Sequence, residues 1–200
     1  MDIEKDRRKQ LIAALGADFD CFEEVRLRHA FFDTRTLYAD VVALPRDSRH
    51  AASPLAFEVK EPNAKSRSPF GWLHAFHQAS DYVYAAIDPH QRCQELRAMS
   101  GLRVRAAFVF PSYERDGTAP SGNVVEFLRG AAQLALHFRV GTTSWEKSGG
   151  GLRFRLMLGV NEIWRSDVGF CHSHFDLLSG IRSFGSGKID VLAEIGKQSD

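Results

Sequence analysis

Cysteine is scarce in this sequence, and its spacing argues against the sites that cysteine commonly builds. The 200 residues include three cysteines, Cys21, Cys93 and Cys171, which lie far apart and form no Cys-x-x-Cys pair. Disulfide frameworks and structural zinc sites both need cysteines grouped at short, recurring spacings. We therefore expect reduced thiols in a cytoplasmic protein, with neither a disulfide nor a zinc knuckle.

Long apolar runs are also missing. A helix that crosses a bilayer needs about 20 predominantly apolar residues, and the sequence has no such stretch. The first nine residues are mostly charged and lead into no apolar run, so we expect no secretory signal. These absences predict a cytoplasmic protein without a membrane partner.

An excess of charge of either sign is absent as well. The formal net charge is +1, which argues against a protein that coats nucleic acid non-specifically but allows an enzyme that binds a phosphate backbone locally. Hydrophobic residues make up 44% and charged residues 26% of the chain. Such a composition over 200 residues is typical of one globular domain with a sizeable core.

Two apolar segments between residues 36 and 60 carry charge where a core strand rarely does. Both segments are short, rich in apolar residues and bounded by turn formers, which predicts buried strands. Asp40 interrupts the first strand, and the second ends in Glu58-Val59-Lys60. Because alternate residues of a strand share a face, Glu58 and Lys60 are expected to project the same way.

Helical and strand patterns alternate along the rest of the chain. Helix periodicity predicts helices, and Asp88-Pro89 is expected to end the second long one. Two strand-like segments flank a Ser-Gly-Gly-Gly turn and predict a hairpin. The predicted elements are helices at 3–15, 69–87, 91–99 and 123–137 and strands at 22–32, 36–44, 55–60, 103–110, 139–145 and 152–160.

The charged groups on the two strands require partners if they are buried. Leaving two carboxylates and an ammonium group unpaired in a core costs several kcal/mol each, roughly. A divalent cation between Asp40 and Glu58, with Lys60 beside a substrate phosphate, removes that cost. The alternative is a structural ion-pair cluster at a sheet edge.

This arrangement resembles the PD-(D/E)xK nuclease superfamily. The matching residues are Asp40 and Glu58-Val59-Lys60. Ala39 stands where the family motif has proline, a change that many members share. Gln78 and Tyr82 resemble the Gln-x-x-x-Tyr element of the RecB-type members. The resemblance implies an α/β fold: a restriction-endonuclease-like αβββαβ core over residues 1–112, and a C-terminal α/β extension over 113–200 packed on the same domain.

The resemblance also implies a metal site. Asp40 and Glu58, helped by the Val59 carbonyl, are expected to bind Mg²⁺ or Mn²⁺. Four cysteines would be needed for the iron–sulfur cluster of some RecB relatives, so no cluster is expected. The family adds a further acidic residue, for which Glu24 is preferred over Glu23 and Glu4.

The remaining site residues follow from the same resemblance. Lys60 is expected to orient the attacking water or to offset charge on the phosphate. Gln78 and Tyr82 are expected to position a metal-bound water or a phosphate, unless they form an ordinary half-exposed helix face. Lys65 and Arg67 are candidate contacts to the DNA backbone.

The function implied is a Mg²⁺-dependent deoxyribonuclease acting in recombination, repair or defence. Endonuclease and exonuclease activity both remain open, and so does a dimeric, resolvase-like or restriction-type enzyme. The rival interpretation is a catalytically silent nuclease-fold module that binds nucleic acid or a partner protein. The expected partners are DNA and either a second copy of the chain or a partner subunit.

Several histidines invite other interpretations. His29, His74 and His77 are expected to pack or to face solvent rather than to act in catalysis. Cys171-His172-Ser173-His174 suggests a soft metal site, but because no second cluster accompanies it, the sequence favours an ordinary loop.

Overall fold

The computed structural model describes residues 3–32, 36–60, 69–110, 138–148, 151–176 and 178, and it has a mixed α/β architecture. None of the helices within these residues is long and apolar enough to cross a membrane. The elements are α1 (Ile3–Leu15), β1 (Phe19–His29), β2 (Thr36–Pro45), β3 (Leu55–Val59), α2 (Pro69–Val83), β4 (Ala85–Ile87), α3 (Gln94–Ala98), β5 (Ala106–Phe110), β6 (Val140–Ser148), β7 (Gly151–Leu158), β8 (Asn161–Arg165) and β9 (Gly169–Phe170).

All nine strands belong to one sheet, in the order β4-β1-β2-β3-β5-β6-β7-β8-β9. The pairs β3–β5 and β5–β6 are parallel, and the other neighbours are antiparallel. The predicted hairpin is confirmed, since β6 and β7 pair antiparallel from Thr142 to Ser148. The C-terminal strands therefore continue the sheet that the N-terminal strands begin.

The predicted helix at 69–87 is wrong at its C-terminal end. The helix ends at Val83, and Ala85–Ile87 forms the edge strand β4 against β1. A turn in which the Tyr84 amide donates to the Asp81 carbonyl separates the two elements. The apolar residues 85–87 are compatible with a helix or a strand, and their pairing with β1 makes them a strand. The predicted helix at 123–137 lies outside the described residues.

Two apolar cores lie on the two faces of the sheet. Leu11 and Leu15 of α1 pack in one core with Phe57 and Phe108 of the central strands. Ala79 of α2 packs in the other. The two helices thus cover opposite faces of the sheet.

The sheet curls so that its C-terminal strands meet the start of β1. Phe19 of β1 and Trp164 of β8 are six places apart in the strand order, yet their rings make an edge contact at 5.6 Å. The Trp164 indole also donates a 2.8 Å hydrogen bond to Oδ2 of Asp18. The loop between α1 and β1 and the loop between β2 and β3 meet residues 161–175 here, and we call this junction the seam.

Candidate active site

Asp40 lies where β2 and β3 separate. The two strands pair from Ala43 with Leu55 as far as Val41 with Phe57. At the next position, the carboxylate of Asp40 replaces the backbone as partner, and its Oδ2 accepts the Val59 amide hydrogen at 2.7 Å. The side chain thereby satisfies a backbone donor at the end of the ladder.

β2 also changes the face it presents at Asp40. In a regular strand Ala39 and Val41 would share a face, but they pack in the two opposite cores. On the neighbouring strand Glu24 stands opposite Asp40 between two paired positions, with φ at 51°. This left-handed conformation is costly for a residue with a Cβ, and such costs are concentrated at functional sites.

Glu58, Lys60 and Tyr82 converge beside Asp40. The Glu58 carboxylate is buried and forms an ion pair with the Lys60 ammonium group. It also accepts a hydrogen bond from the Tyr82 hydroxyl, which lies 2.8 Å from the Tyr38 carbonyl as well. We refer to Asp40, Glu58, Lys60 and Tyr82 together as the fork.

Burial dominates the electrostatics of the fork. It raises the pKa of Glu58, although the hydrogen bonds from Lys60 and Tyr82 oppose the change. Burial likewise raises the pKa of Asp40, although the hydrogen bond from the Val59 amide opposes the change. The pKa of the Tyr82 hydroxyl is raised by its own burial and by the Glu58 charge, so Tyr82 is a proton donor rather than a base.

Arg8 of α1 reaches the acidic side of the fork. Its guanidinium lies 3.8 Å from Oδ1 of Asp40, 3.2 Å from Glu24 and 3.6 Å from Glu23. Burial alone would lower the pKa of Arg8, but its hydrogen bond to Glu24 and the nearby carboxylates raise it. A protein cation therefore offsets part of the acidic charge around Asp40.

Helix α2 brings both residues of the Gln-x-x-x-Tyr element to the sheet. Gln78 and Tyr82 are one turn apart and so share a side of the helix. Tyr82 is 3% exposed, and Oε1 of Gln78 is buried with no hydrogen-bond partner among the described residues. The half-exposed helix face proposed as the alternative is therefore wrong for Tyr82. His74 and His77 are exposed, as expected.

The predicted site residues do not all come together. The structure groups Asp40, Glu58 and Lys60 with Tyr82, and Arg8 links Glu24 and Glu23 to Asp40. Glu4 lies in the first turn of α1. Lys65 and Arg67 fall outside the described residues. None of the three cysteines forms a disulfide in the structure.

One grouping was missed by the sequence interpretation. Asp47, His50 and His172 bring one potential ligand atom each within 4.8 Å of one another, and we call them the seam cluster. His172 belongs to the Cys171–His174 segment, which the sequence favoured as an ordinary loop over a soft metal site, and the structure places it beside His50 and Asp47. Its neighbour His174 instead has Nδ1 2.8 Å from the Glu162 carbonyl. The sequence signals are the Asp-x-x-His spacing at 47–50 and the histidines of Cys171–His174, and no local pattern indicates that the two segments meet.

No family model matches this chain, and neither does any curated protein or any solved structure.

Proposed function

We propose that this protein is a divalent-metal-dependent nuclease that hydrolyses phosphodiester bonds in DNA. The observation that carries the proposal is the convergence of Asp40, Glu58 and Lys60 at the separation of β2 from β3. Burial raises the pKa of both carboxyl groups, and such perturbed groups cluster at functional sites. A buried carboxylate such as Glu58, held by a lysine ion pair, stabilises a fold poorly, which favours a functional reason for it.

The donor atoms of the fork fit a hard divalent cation such as Mg²⁺ or Mn²⁺. Oδ1 of Asp40 and the Glu58 carboxylate offer oxygen ligands, and oxygen ligands are those that Mg²⁺ prefers. Oε1 of Gln78, one helical turn before Tyr82, is buried without a hydrogen-bond partner in the described part of the chain. Once bound, such a cation polarises a phosphodiester and lowers the pKa of a bound water.

The protein's own groups position the reactants. Lys60, whose side chain is 31% exposed, places an ammonium group at the mouth of the buried Glu58 carboxylate. It is suited to orient the attacking water or to offset charge that develops on the phosphate. Tyr82 holds Glu58 by its hydroxyl, and Oδ2 of Asp40 is held by the Val59 amide. Both carboxylates are thus fixed before any substrate binds.

The order of elements supports a restriction-endonuclease-like core within the observed α/β fold. α1, β1, β2, β3 and α2 follow one another, and β5 then pairs parallel with β3. β4 and α3 are small additions between α2 and β5. On this proposal, β6 to β9 are an extension of the same sheet.

The test is cleavage of labelled linear, circular and branched DNA with Mg²⁺ or Mn²⁺. Wild type is compared with Lys60→Ala, and Lys9→Ala on the exposed side of α1 is the matched control. We expect wild type and Lys9→Ala to cut and Lys60→Ala to lose about 10²-fold or more in rate. Equal rates for all three would refute the proposed role of Lys60. The preferred substrate then separates exonuclease from endonuclease activity.

The contacts of Arg8 favour a second candidate, a catalytically silent module that binds nucleic acid or a partner protein. Its guanidinium already neutralises acidic charge around Asp40, where a metal ion would lie. Mg²⁺ titration by calorimetry distinguishes the two candidates. For a nuclease, Arg8→Ala should bind Mg²⁺ more tightly than wild type, because a competing cation is gone. A silent module binds DNA but binds no Mg²⁺ and cuts no DNA, with or without Arg8.

A further inference from the structure

The seam cluster joins parts of the chain that are far apart in sequence. His50 lies in the loop between β2 and β3, and His172 follows β9, 122 residues later. Nε2 of His50 lies 3.0 Å from Nδ1 of His172. Nε2 of His172 lies 3.9 Å from Oδ2 of Asp47. The two ring nitrogens of His172 point in different directions, so this residue can offer only one of them to an ion. With one ligand atom taken from each residue, the three atoms lie within 4.8 Å of one another.

The cluster is held by its surroundings rather than only by its own contacts. The His50 ring is buried against Phe170 and Phe175, at 5.4 and 4.2 Å between ring centroids. The Asp47 carboxylate is fixed because its Oδ1 accepts the Arg49 amide hydrogen at 2.8 Å, which leaves Oδ2 towards His172. These contacts restrict the ligand groups, which lowers the cost of binding an ion.

Solvent can still reach the cluster. The side chain of His172 is 40% exposed and that of Asp47 is 30% exposed. An ion can enter from this side without opening the aromatic packing around His50.

We propose that Asp47, His50 and His172 bind a first-row transition cation of the Zn²⁺ type. The bound ion cross-links the two chain segments that meet at the seam. Two imidazoles and a carboxylate are the donor set that such ions favour, whereas Mg²⁺ prefers oxygen alone. In a tetrahedral site with bonds of about 2.0 to 2.1 Å, neighbouring ligand atoms are about 3.3 Å apart. The 3.0 Å between the two histidine nitrogens is within a few tenths of that spacing. Because the two nitrogens lie at hydrogen-bond distance, an ion that binds both takes the place of the proton between them.

This site is separate from the fork. Pro45, where β2 ends, is five residues beyond Asp40, which corresponds to about 17 Å along an extended strand. Asp47 and His50 follow Pro45, so one ion cannot contact both groups, and paired catalytic metals lie only about 3.5–4 Å apart. The seam ion is accordingly assigned a cross-linking role between residues 47–50 and 172, next to the Trp164–Asp18 hydrogen bond.

The test is Zn²⁺ binding by untagged protein that has been stripped with chelator and dialysed. Competition with a chromophoric chelator measures stoichiometry and affinity, and Co²⁺ substitution reports tetrahedral coordination through its visible absorption. The variants are His172→Gln and His50→Gln, with His174→Gln as the neighbouring-histidine control. We expect one Zn²⁺ per wild-type chain. Affinity should fall by at least about 100-fold in His172→Gln, because loss of even an outer-shell partner costs about 10- to 100-fold.

Each outcome supports or refutes the site. Retained binding in His174→Gln and in Glu58→Gln, with loss in His172→Gln, places the ion in the seam cluster and not in the fork. Absence of saturable Zn²⁺ binding to wild type refutes the proposal, and so does undiminished binding in His172→Gln. If His50→Gln fails to fold because its ring is buried, His172→Gln carries the test alone. Failure of DNA cleavage would refute the proposed nuclease without affecting this result.

Discussion

The fork and the seam cluster both bring together groups that bind cations, but they are built at different levels. The fork's acidic groups lie 18 positions apart in sequence, on two strands that are neighbours in the sheet. The seam cluster depends on a contact between residues separated by 122 positions. The fork offers oxygen donors and a lysine, and the seam cluster offers two imidazoles and one carboxylate.

This difference shows how strand position can specify chemistry in advance of the fold. A carboxylate that is buried in an apolar strand is costly without a partner, and the neighbouring strand is the nearest place for one. A histidine in a loop carries no such requirement, because a neutral imidazole is tolerated at a surface. The cost of burying unpaired charge therefore indicates the fork in the sequence but does not indicate the seam cluster.

The largest expected effect separates the two sites by activity. Asp40→Asn or Glu58→Gln should lower the rate of DNA cleavage by at least about 10²-fold, because each removes a charged ligand. Single-turnover cleavage of linear DNA measures this, with circular dichroism to check that the variants fold. A variant that cuts as fast as wild type would remove the fork from the mechanism.

The next effect separates them by metal-dependent stability. At a free Zn²⁺ concentration of 100 times the dissociation constant, wild type should gain about 2.7 kcal/mol in free energy of unfolding. Glu58→Gln should gain as much, and His172→Gln should gain almost nothing. Thermal unfolding with and without Zn²⁺ measures the difference. An equal gain in all three proteins would show that Zn²⁺ binds elsewhere.

A smaller effect tests the protein contacts of the seam. Trp164→Phe keeps a large aromatic ring but loses the 2.8 Å hydrogen bond to Asp18. Hydrogen bonds to charged groups contribute about 1.5 to 3 kcal/mol, and we expect a loss near the lower value in urea unfolding. Asp18→Asn, which retains an acceptor oxygen, should cost less. If the two variants lose the same amount, the charge rather than the bond is what matters.

The smallest effect concerns pH and the fork. Burial raises the pKa of Glu58 in the folded chain, so the folded state binds this proton more tightly than the unfolded chain. That stabilisation is fully present below the pKa of an unfolded glutamate, about 4.3, and is lost as the pH rises through the raised pKa of the folded state. Wild type should lose stability over this interval, and Glu58→Gln should lose less. Parallel pH profiles of the free energy of unfolding would contradict the assignment.

Several elements followed from local patterns alone. The periodicity of residues 3–15 predicted α1, and the apolar segments around Asp40 and Glu58 predicted β2 and β3 to within one residue at either end. The end of α2 was not predictable, because apolar residues 85–87 fit a helix until β1 offers a strand to pair with. The position of Tyr82 in the core is likewise set by the sheet that α2 covers.

The sequence by itself determined that two carboxylates and a lysine would lie on adjacent buried strands, because strand periodicity and the cost of burying charge act locally. The tertiary structure alone decided that β2 switches face at Asp40, that Arg8 reaches the acidic groups, and that His50 meets His172. Those contacts arise from the curl of the nine-stranded sheet and the docking of α1. Both depend on packing between distant segments, which short-range patterns do not encode.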